Sequence, residues 1–206
     1  MSKPVTADHR IFAILPAAGR SRRMGSDKQL LDVAGQPMAM AVLERLAASS
    51  VTGVALVTHR TIADALPPLP RDTFVVLNDD PATEMIDSIR IGLTAWQGRE
   101  QTSAHDGFLI CPADQPGIST ADIDACITAF RATPDRIIIA EHAGRRGHPI
   151  IFPAALADFV LSPACDGGLN ALPRSHTQQV HIVSCASPGV VRDIDTPQDY
   201  SSKSDS

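Results

Sequence analysis

Residues 16–28 read PAAGRSRRMGSDK. Pro16-Ala17-Ala18-Gly19 carries almost no side chain, and Arg20, Arg22, Arg23 and Lys28 follow it closely. Small residues let a ligand approach the backbone, and exposed N–H groups cradle oxyanions. Basic side chains next to such a loop point to phosphate. Gly19 and Gly25 lack the GxGxxG spacing of the dinucleotide fingerprint, and no Gly-Lys-Ser/Thr follows as in a Walker A loop. A basic surface turn with no ligand has the same composition, so both readings stay open.

A second chemical element is Asp114, between two prolines in Pro112-Ala113-Asp114-Gln115-Pro116-Gly117. A cationic loop facing one carboxylate is what a nucleoside triphosphate with Mg²⁺ requires: the carboxylate holds the hard cation and the basic groups take the phosphate charge. A turn aspartate bonding its own backbone is the plainer alternative. Asp193 or Asp195, either side of Ile194, can supply a second metal carboxylate, although Asp195 can equally precede or cap a helix starting at Thr196. Asn78, followed by Asp79 and Asp80, stands where a loop touches a base or ribose, and the same residues suit an ordinary turn. Arg145, Arg146 and His148 crowd a glycine-bounded turn and suit a phosphate on a second substrate, or a solvated basic hairpin. The remaining histidines are scattered, and no Ser/His/Asp spacing is informative.

These residues need elements to position them. Apolar runs predict strands at Ile11–Leu15, Val54–Thr58, Thr73–Asn78, Phe108–Cys111, Arg136–Ala140, Val180–Cys185 and Val190–Ile194. Leu30, Leu31 and Val33 form a short apolar piece. Helices are expected from Pro37 to about Ser49, over Ile62–Leu66, through Ile86, Ile89, Leu93 and Trp96, and from Ser119 through Ile123, Ile127 and Phe130. Short helical pieces are expected at 154–161 and 168–172, and a last helical turn from Thr196. Short strands alternating with helices predict an α/β fold, a Rossmann-like three-layer sandwich with a mostly parallel sheet. The alternation weakens after residue 140, which predicts a small antiparallel excursion in the C-terminal third. We read one domain over 1–206, with 10–140 mainly nucleotide-binding and 141–200 mainly acceptor-binding and closing strands. In such sheets ligands sit at the carboxyl ends of strands, so the loops holding Gly19 and Asp114 should face one crevice.

Lys plus Arg number 18 against 23 Asp plus Glu, a net charge of -5, which offers no steering field for nucleic acid. The four cysteines, at 111, 126, 165 and 185, have neither zinc-ligand nor redox-motif spacing, and Cys111 and Cys185 lie in apolar runs as core residues do. No run approaches the ~20 apolar residues that cross a membrane, and no signal segment is evident, so a cytoplasmic location is expected.

Leu15 to Lys28, LPAAGRSRRMGSDK, resembles the signature of the MobA-like nucleotidyltransferases. Ser88-Ile-Arg-Ile-Gly-Leu93, Cys111-Pro-Ala-Asp-Gln-Pro-Gly117, Arg145-Arg-Gly-His-Pro-Ile-Ile-Phe152 and Arg192-Asp-Ile-Asp-Thr-Pro-Gln-Asp-Tyr200 agree with further family segments. The resemblance implies a Rossmann-like transferase joining a nucleoside triphosphate to a phosphorylated acceptor, with Arg23, Lys28 and Asp114 as its catalytic groups. It implies a nucleotide site formed by Pro16, Ala17, Ala18, Gly19, Arg20, Ser21, Arg23, Lys28, Asn78, Ser88 and Asp114. Mg²⁺ would sit on Asp114 with Asp193 or Asp195. Gln115, Arg145, His148 and Asn170 would face the acceptor. Ala17-Ala18-Gly19 is similar to the loop of the molybdenum cofactor cytidylyltransferases, where guanylyltransferases usually carry Ala-Gly-Gly, so the expected reaction is cytidylyl transfer from CTP to molybdopterin. Transient docking to an apo-molybdoenzyme is compatible with that reading. The alternatives are a GTP-dependent guanylyltransferase, a sugar- or alditol-phosphate cytidylyltransferase, and a non-catalytic molybdopterin carrier. Two departures from the family pattern are present, the second bearing on the acceptor. Glu84-Met85 stands where the family often has Gly-Met, and Asp166-Gly-Gly-Leu-Asn170 lacks the arginine of Asp-x-Gly-Ala-Arg.

Overall fold

The structure, a computed structural model, describes residues 9–19, 27–80, 82–194 and 199. Its axis is β1, Ile11–Pro16, buried along its whole length. Strand alternation sends Ile11, Ala13 and Leu15 into one apolar cluster and Phe12 and Ile14 into another on the opposite face. A strand apolar on both faces needs helices on both sides of its sheet, and the chain supplies them. Helices α1 (Met38–Ala47) and α4 (Thr120–Ala132) cover one face, and α3 (Met85–Arg99) covers the other.

The sheet also contains β4 (Gly53–Thr58), β5 (Thr73–Leu77), β6 (Gly107–Ile110), β7 (Ile137–His142), β8 (Arg145–Pro153) and β9 (Val180–Ser184). β2 (Asp32–Val33) and β3 (Gln36–Pro37) form a separate antiparallel ribbon, and α2 (Arg60–Ala65) follows β4. The order across the seven-stranded sheet is β5-β4-β1-β6-β8-β7-β9. β8 is antiparallel to both β6 and β7, and the other pairings are parallel. The expected α/β sandwich and its antiparallel excursion are therefore both present. The chain winds outward from β1 through β4 to β5, then returns to β6 on the other side of β1, which makes the β1/β6 junction a switch point.

Local chemistry fixes the helix ends. Ser119 Oγ accepts from the Asp122 amide at 3.1 Å and starts α4. Glu84 and Asp87 close a reciprocal capping box at the start of α3. At the middle of α3, a Cβ on Gly92 would stand 2.6 Å from Ile14 Cγ2, so a glycine lets this helix lie directly on β1. Trp96 Nε1 then donates to the Ala13 carbonyl at 3.0 Å. The C-terminal third adds α5 (Ala157–Leu161) and α6 (Ala171–Ser175) beneath the α3 face.

One expected strand is absent. Val190–Ile194 does not pair; Pro188–Val191 is a 3-10 turn begun by Ser187, whose Oγ accepts from the Gly189 amide at 3.0 Å. The run is apolar because it packs, with Val190 and Val191 buried against the α1/α4 face. Glycines permit that packing. A Cβ at Gly189 would lie 1.9 Å from the Gly117 carbonyl oxygen, and one at Gly147 would lie 1.8 Å from that of Val190. The expected turn at Thr196 lies outside the described residues.

Gly189→Ala is expected to cost at least about 1–3 kcal/mol, the range for forced overpacking, read as a lower urea midpoint at unchanged slope. Gly98→Ala, on α3 with nothing within 4 Å of the new carbon, should instead add roughly 0.5–1 kcal/mol of stability, read as a higher midpoint. An unchanged midpoint for Gly189→Ala would contradict the close approach.

Candidate active site

β1 and β6 end side by side, and their loops leave the sheet together. The Ala17 amide donates to the Val57 carbonyl at 2.7 Å and the Ala113 amide to the Pro16 carbonyl at 3.2 Å, so both loops begin as continuations of the ladder. Thr58 Oγ1 donates to the Ala17 carbonyl at 3.2 Å. Gln29, 2 % exposed, donates from Nε2 to the Gly19 carbonyl at 2.7 Å. These bonds hold the small-residue loop open at the sheet edge.

Lys28 sits on a 3-10 turn, Lys28–Leu30, that folds back over this edge. Asp27, just before it, lies 3.5 Å from His59 Nε2 at the end of β4. Lys28 Nζ reaches Asp114 Oδ2 at 2.9 Å and the Ile194 carbonyl at 3.3 Å. The two charged side chains are only 14 % and 17 % exposed. The Ile194 amide donates to the Asp114 carbonyl at 2.9 Å, which places Asp193 beside the same loop. Three segments distant in sequence thus converge on one ammonium–carboxylate pair.

A second feature adjoins it. A cleft of about 610 Å³ opens between the start of α3, the face of β8 and the 168–177 segment. This volume falls in the range of small-molecule sites, about 300–1,000 Å³. Ile86, Ile89, Ile139, Ile150 and Leu169 give it an apolar floor, while Arg146, His148, Asn170 and Arg174 give it polar walls. Arg146, Gly147, His148 and Ile150 of β8 line the cleft and Arg145 does not; the pairing of β8 with β7 shifts register between residues 146 and 150. Burial pushes the His148 imidazole down to about 4, with the Asp193 charge pulling in the opposite direction. His148 is therefore neutral near pH 7, and its enclosed Nδ1 has no hydrogen-bond partner among the described residues. Asp193, whose charge His148 feels, directly precedes Ile194, whose carbonyl meets Lys28.

Other expected site residues fall as follows. Pro16, Ala17, Ala18, Gly19, Lys28, Asp114, Gln115 and Asp193 belong to the converging segments. Asn78 and Ser88 are buried together, with the Asn78 amide donating to Ser88 Oγ at 3.1 Å and Thr83 Oγ1 at 3.2 Å; they tie the end of β5 to α3. Arg20, Ser21, Arg23 and Asp195 lie outside the described residues. Gln29, Thr58, Arg174 and the Ile194 carbonyl are parts of the arrangement that residue types alone did not indicate. The amides of Gln29 and Gln115 each keep an enclosed Oε1 without a partner among the described residues. All four cysteines are buried, and burial pushes the Cys111 and Cys126 thiols up, which suits core packing rather than nucleophilic chemistry.

Among the described residues, no three His, Cys, Asp or Glu side chains gather to hold a metal unaided. A divalent hard cation of the Mg²⁺ type does not need such a cage: it binds one or two carboxylates and completes its shell with water and substrate phosphates. Asp114, with Asp193 next to its backbone partner, fits that donor set.

The α/β sheet thus gathers a small-residue loop, a lysine and a carboxylate at its switch point. Residues 13–180 match the MobA-like NTP transferase domain, and the chain belongs to that family. It is 25% identical over 200 residues to the purine catabolism protein PucB of Bacillus subtilis, covering 92% of this chain and 94% of that one. It is 26% identical over 214 residues to the probable molybdenum cofactor guanylyltransferase of Rhodopirellula baltica, covering 98% and 96%. A 2-C-methyl-D-erythritol 4-phosphate cytidylyltransferase of Frankia casuarinae is 30% identical over 172 residues, which span 81% of this chain and 56% of that protein. Among solved structures, Rv0371c of Mycobacterium tuberculosis superposes with a TM-score of 0.80 at 25% identity, covering 96% and 98%. A further Rv0371c structure is a complex with manganese. No helix among the described residues is long and apolar enough to cross a membrane.

The neutral His148 has a pH signature. The unfolded imidazole takes up its proton near 6.5 and the folded one only near 4, so the unfolded state binds more protons between these values. Stability is retained above about 6.5 and falls as pH drops toward about 4. In metal-free buffer, His148→Gln is expected to flatten that part of the stability curve. A wild-type slope in the variant would assign the loss to another group.

Proposed function

We propose that this protein transfers a nucleoside monophosphate from a nucleoside triphosphate to the terminal phosphate of a molybdopterin-type acceptor, releasing pyrophosphate. The observation that carries the reading is the position of the Lys28–Asp114 pair at the β1/β6 switch point, beside a separate cleft with an apolar floor and cationic walls. One site suits a triphosphate; the other suits a flat body bearing an anion.

The acceptor phosphate is already an anion near neutrality, so no protein general base is required. An oxygen of that phosphate bonds to the α-phosphorus of the triphosphate, and the bond to the bridging oxygen of pyrophosphate breaks. The protein must align two mutually repelling anions and offset charge as it develops. Lys28, released from Asp114, is placed to meet the triphosphate, with Arg23 as a further cation in this reading. In this reading the small residues Ala18 and Gly19 let the phosphates approach the backbone. Asp114 and Asp193 would hold Mg²⁺, which supplies charge neutralisation on phosphate oxygens when bound; the manganese complex of Rv0371c supports a divalent cation here.

The relatives bear on the choice of donor. The Rhodopirellula baltica protein, matched over nearly its full length, supports GTP, whereas Ala18 supports CTP by family likeness. The Frankia casuarinae protein supports a second reading, cytidylyl transfer to a polyol phosphate. The apolar floor of the cleft favours the pterin-type acceptor over a polyol.

Incubating the protein with each nucleoside triphosphate, Mg²⁺ and either molybdopterin or 2-C-methyl-D-erythritol 4-phosphate decides among these. Pyrophosphate release with molybdopterin and one favoured nucleotide is the expected result. Release only with the polyol phosphate transfers the assignment to that acceptor, and tight pterin binding without any release identifies a carrier. Lys28→Ala should lower turnover by roughly 10²–10³-fold, as for the loss of one preorganised charge-stabilising group, when assayed well below its own unfolding midpoint, which should itself fall because Asp114 loses its partner. Wild-type turnover in that variant would remove Lys28 from the mechanism.

A further inference from the structure

Two arginines from separate elements line the cleft: Arg146 of β8 and Arg174 of α6. No carboxylate among the described residues pairs with either one. The one carboxylate lining the cleft is Glu84, and it is engaged in capping α3 by accepting from the Asp87 amide. Two cations over an apolar floor, with the nearby acid turned to a helix end, form a surface that selects an anion attached to an apolar body.

Asn170 and Arg174 are four residues apart at the start and end of one helical turn, so they share a side, and both line the cleft. Asn170 can give a neutral hydrogen bond there, and the charge enters one turn later. His148, at the end of the cleft nearest Asp193, contributes no charge near neutral pH. The cationic character of this wall therefore falls on Arg146 and Arg174.

We infer that Arg146 and Arg174 together clamp the phosphate-bearing end of the acceptor, and that Arg174 is a specificity-determining residue for phosphorylated over unphosphorylated acceptors. The inference rests on the reading of this cleft as the acceptor site. It adds to that reading the group that recognises the acceptor's charge.

Binding measured without nucleotide separates the two. The wild-type protein is titrated with molybdopterin and with its dephosphorylated form, and so are Arg146→Ala, Arg174→Ala and the double variant Arg174→Ala/Asn170→Arg. The wild type should prefer the phosphorylated form by roughly tenfold or more, as charge-assisted hydrogen bonds to phosphate imply. Each alanine variant should lose most of that preference while binding the nucleotide as the wild type does. The double variant, with its guanidinium moved back one turn, should recover much of it, which repair of a purely structural defect would not produce. Should the wild type bind neither pterin, the same comparison is made with 2-C-methyl-D-erythritol 4-phosphate and its unphosphorylated polyol. An unaltered phosphate preference in Arg174→Ala, or no preference in the wild type for either acceptor pair, overturns the clamp. Discrimination by the arginines without any pyrophosphate release would leave the clamp standing and reject the transferase reading instead.

Discussion

The bond between Lys28 and Asp114 is the constraint on which the site depends. It joins the loop after β1 to the loop after β6, and the Ile194 carbonyl completes the contact from the far end of the chain. Both charges are largely withdrawn from solvent, so each needs the other: leaving either one alone in that position is costly. The same proximity suits the proposed reaction, in which a triphosphate brings negative charge for the lysine and a divalent cation brings positive charge for the carboxylate. Arrival of both exchanges one satisfied arrangement for another and leaves neither group without a partner.

Everything around the pair serves to bring those loops to one height. β1 has to be apolar on both faces to sit at the centre of the sheet, and Gly92 has to lack a side chain for α3 to lie on it. The segment carrying Asp193 and Ile194 arrives by packing, because Gly147 and Gly189 leave room for backbone where a methyl group would collide. Asp122 assists from α4, accepting the Ala186 amide at 3.1 Å. A central parallel core thus carries the loops of the charged pair, and the antiparallel β8 lines the cleft.

Much of this was legible in the sequence, for physical reasons that differ by element. The run from Ile11 and the spacing of Ile86, Ile89, Leu93 and Trp96 are strong periodic signals set by burial, and the structure places both as read. The basic hairpin after residue 140 follows from glycines between apolar runs, and β7 and β8 form it. Val190–Ile194 misled because an apolar run reports burial and not pairing; Pro188 and Gly189 turn it into a packed 3-10 segment. Arg145 and Arg146 are indistinguishable by composition, and only the folded strand, with its register shift between residues 146 and 150, shows that Arg146 lines the cleft and Arg145 does not. Arg174 was hidden because α6 is too short to show a period. Gln29 was hidden because its role is a bond to the Gly19 carbonyl, which no residue type announces.

The central claim is that a triphosphate and a divalent cation together take apart the Lys28–Asp114 pair at the β1/β6 switch point. A crystal structure of the protein with Mn²⁺ and a non-hydrolysable nucleoside triphosphate, with the metal located by anomalous scattering, tests it directly. The account predicts manganese on the Asp114 carboxylate and Lys28 Nζ moved onto a phosphate oxygen. Nucleotide and metal bound elsewhere, with the 2.9 Å pair intact, would contradict it.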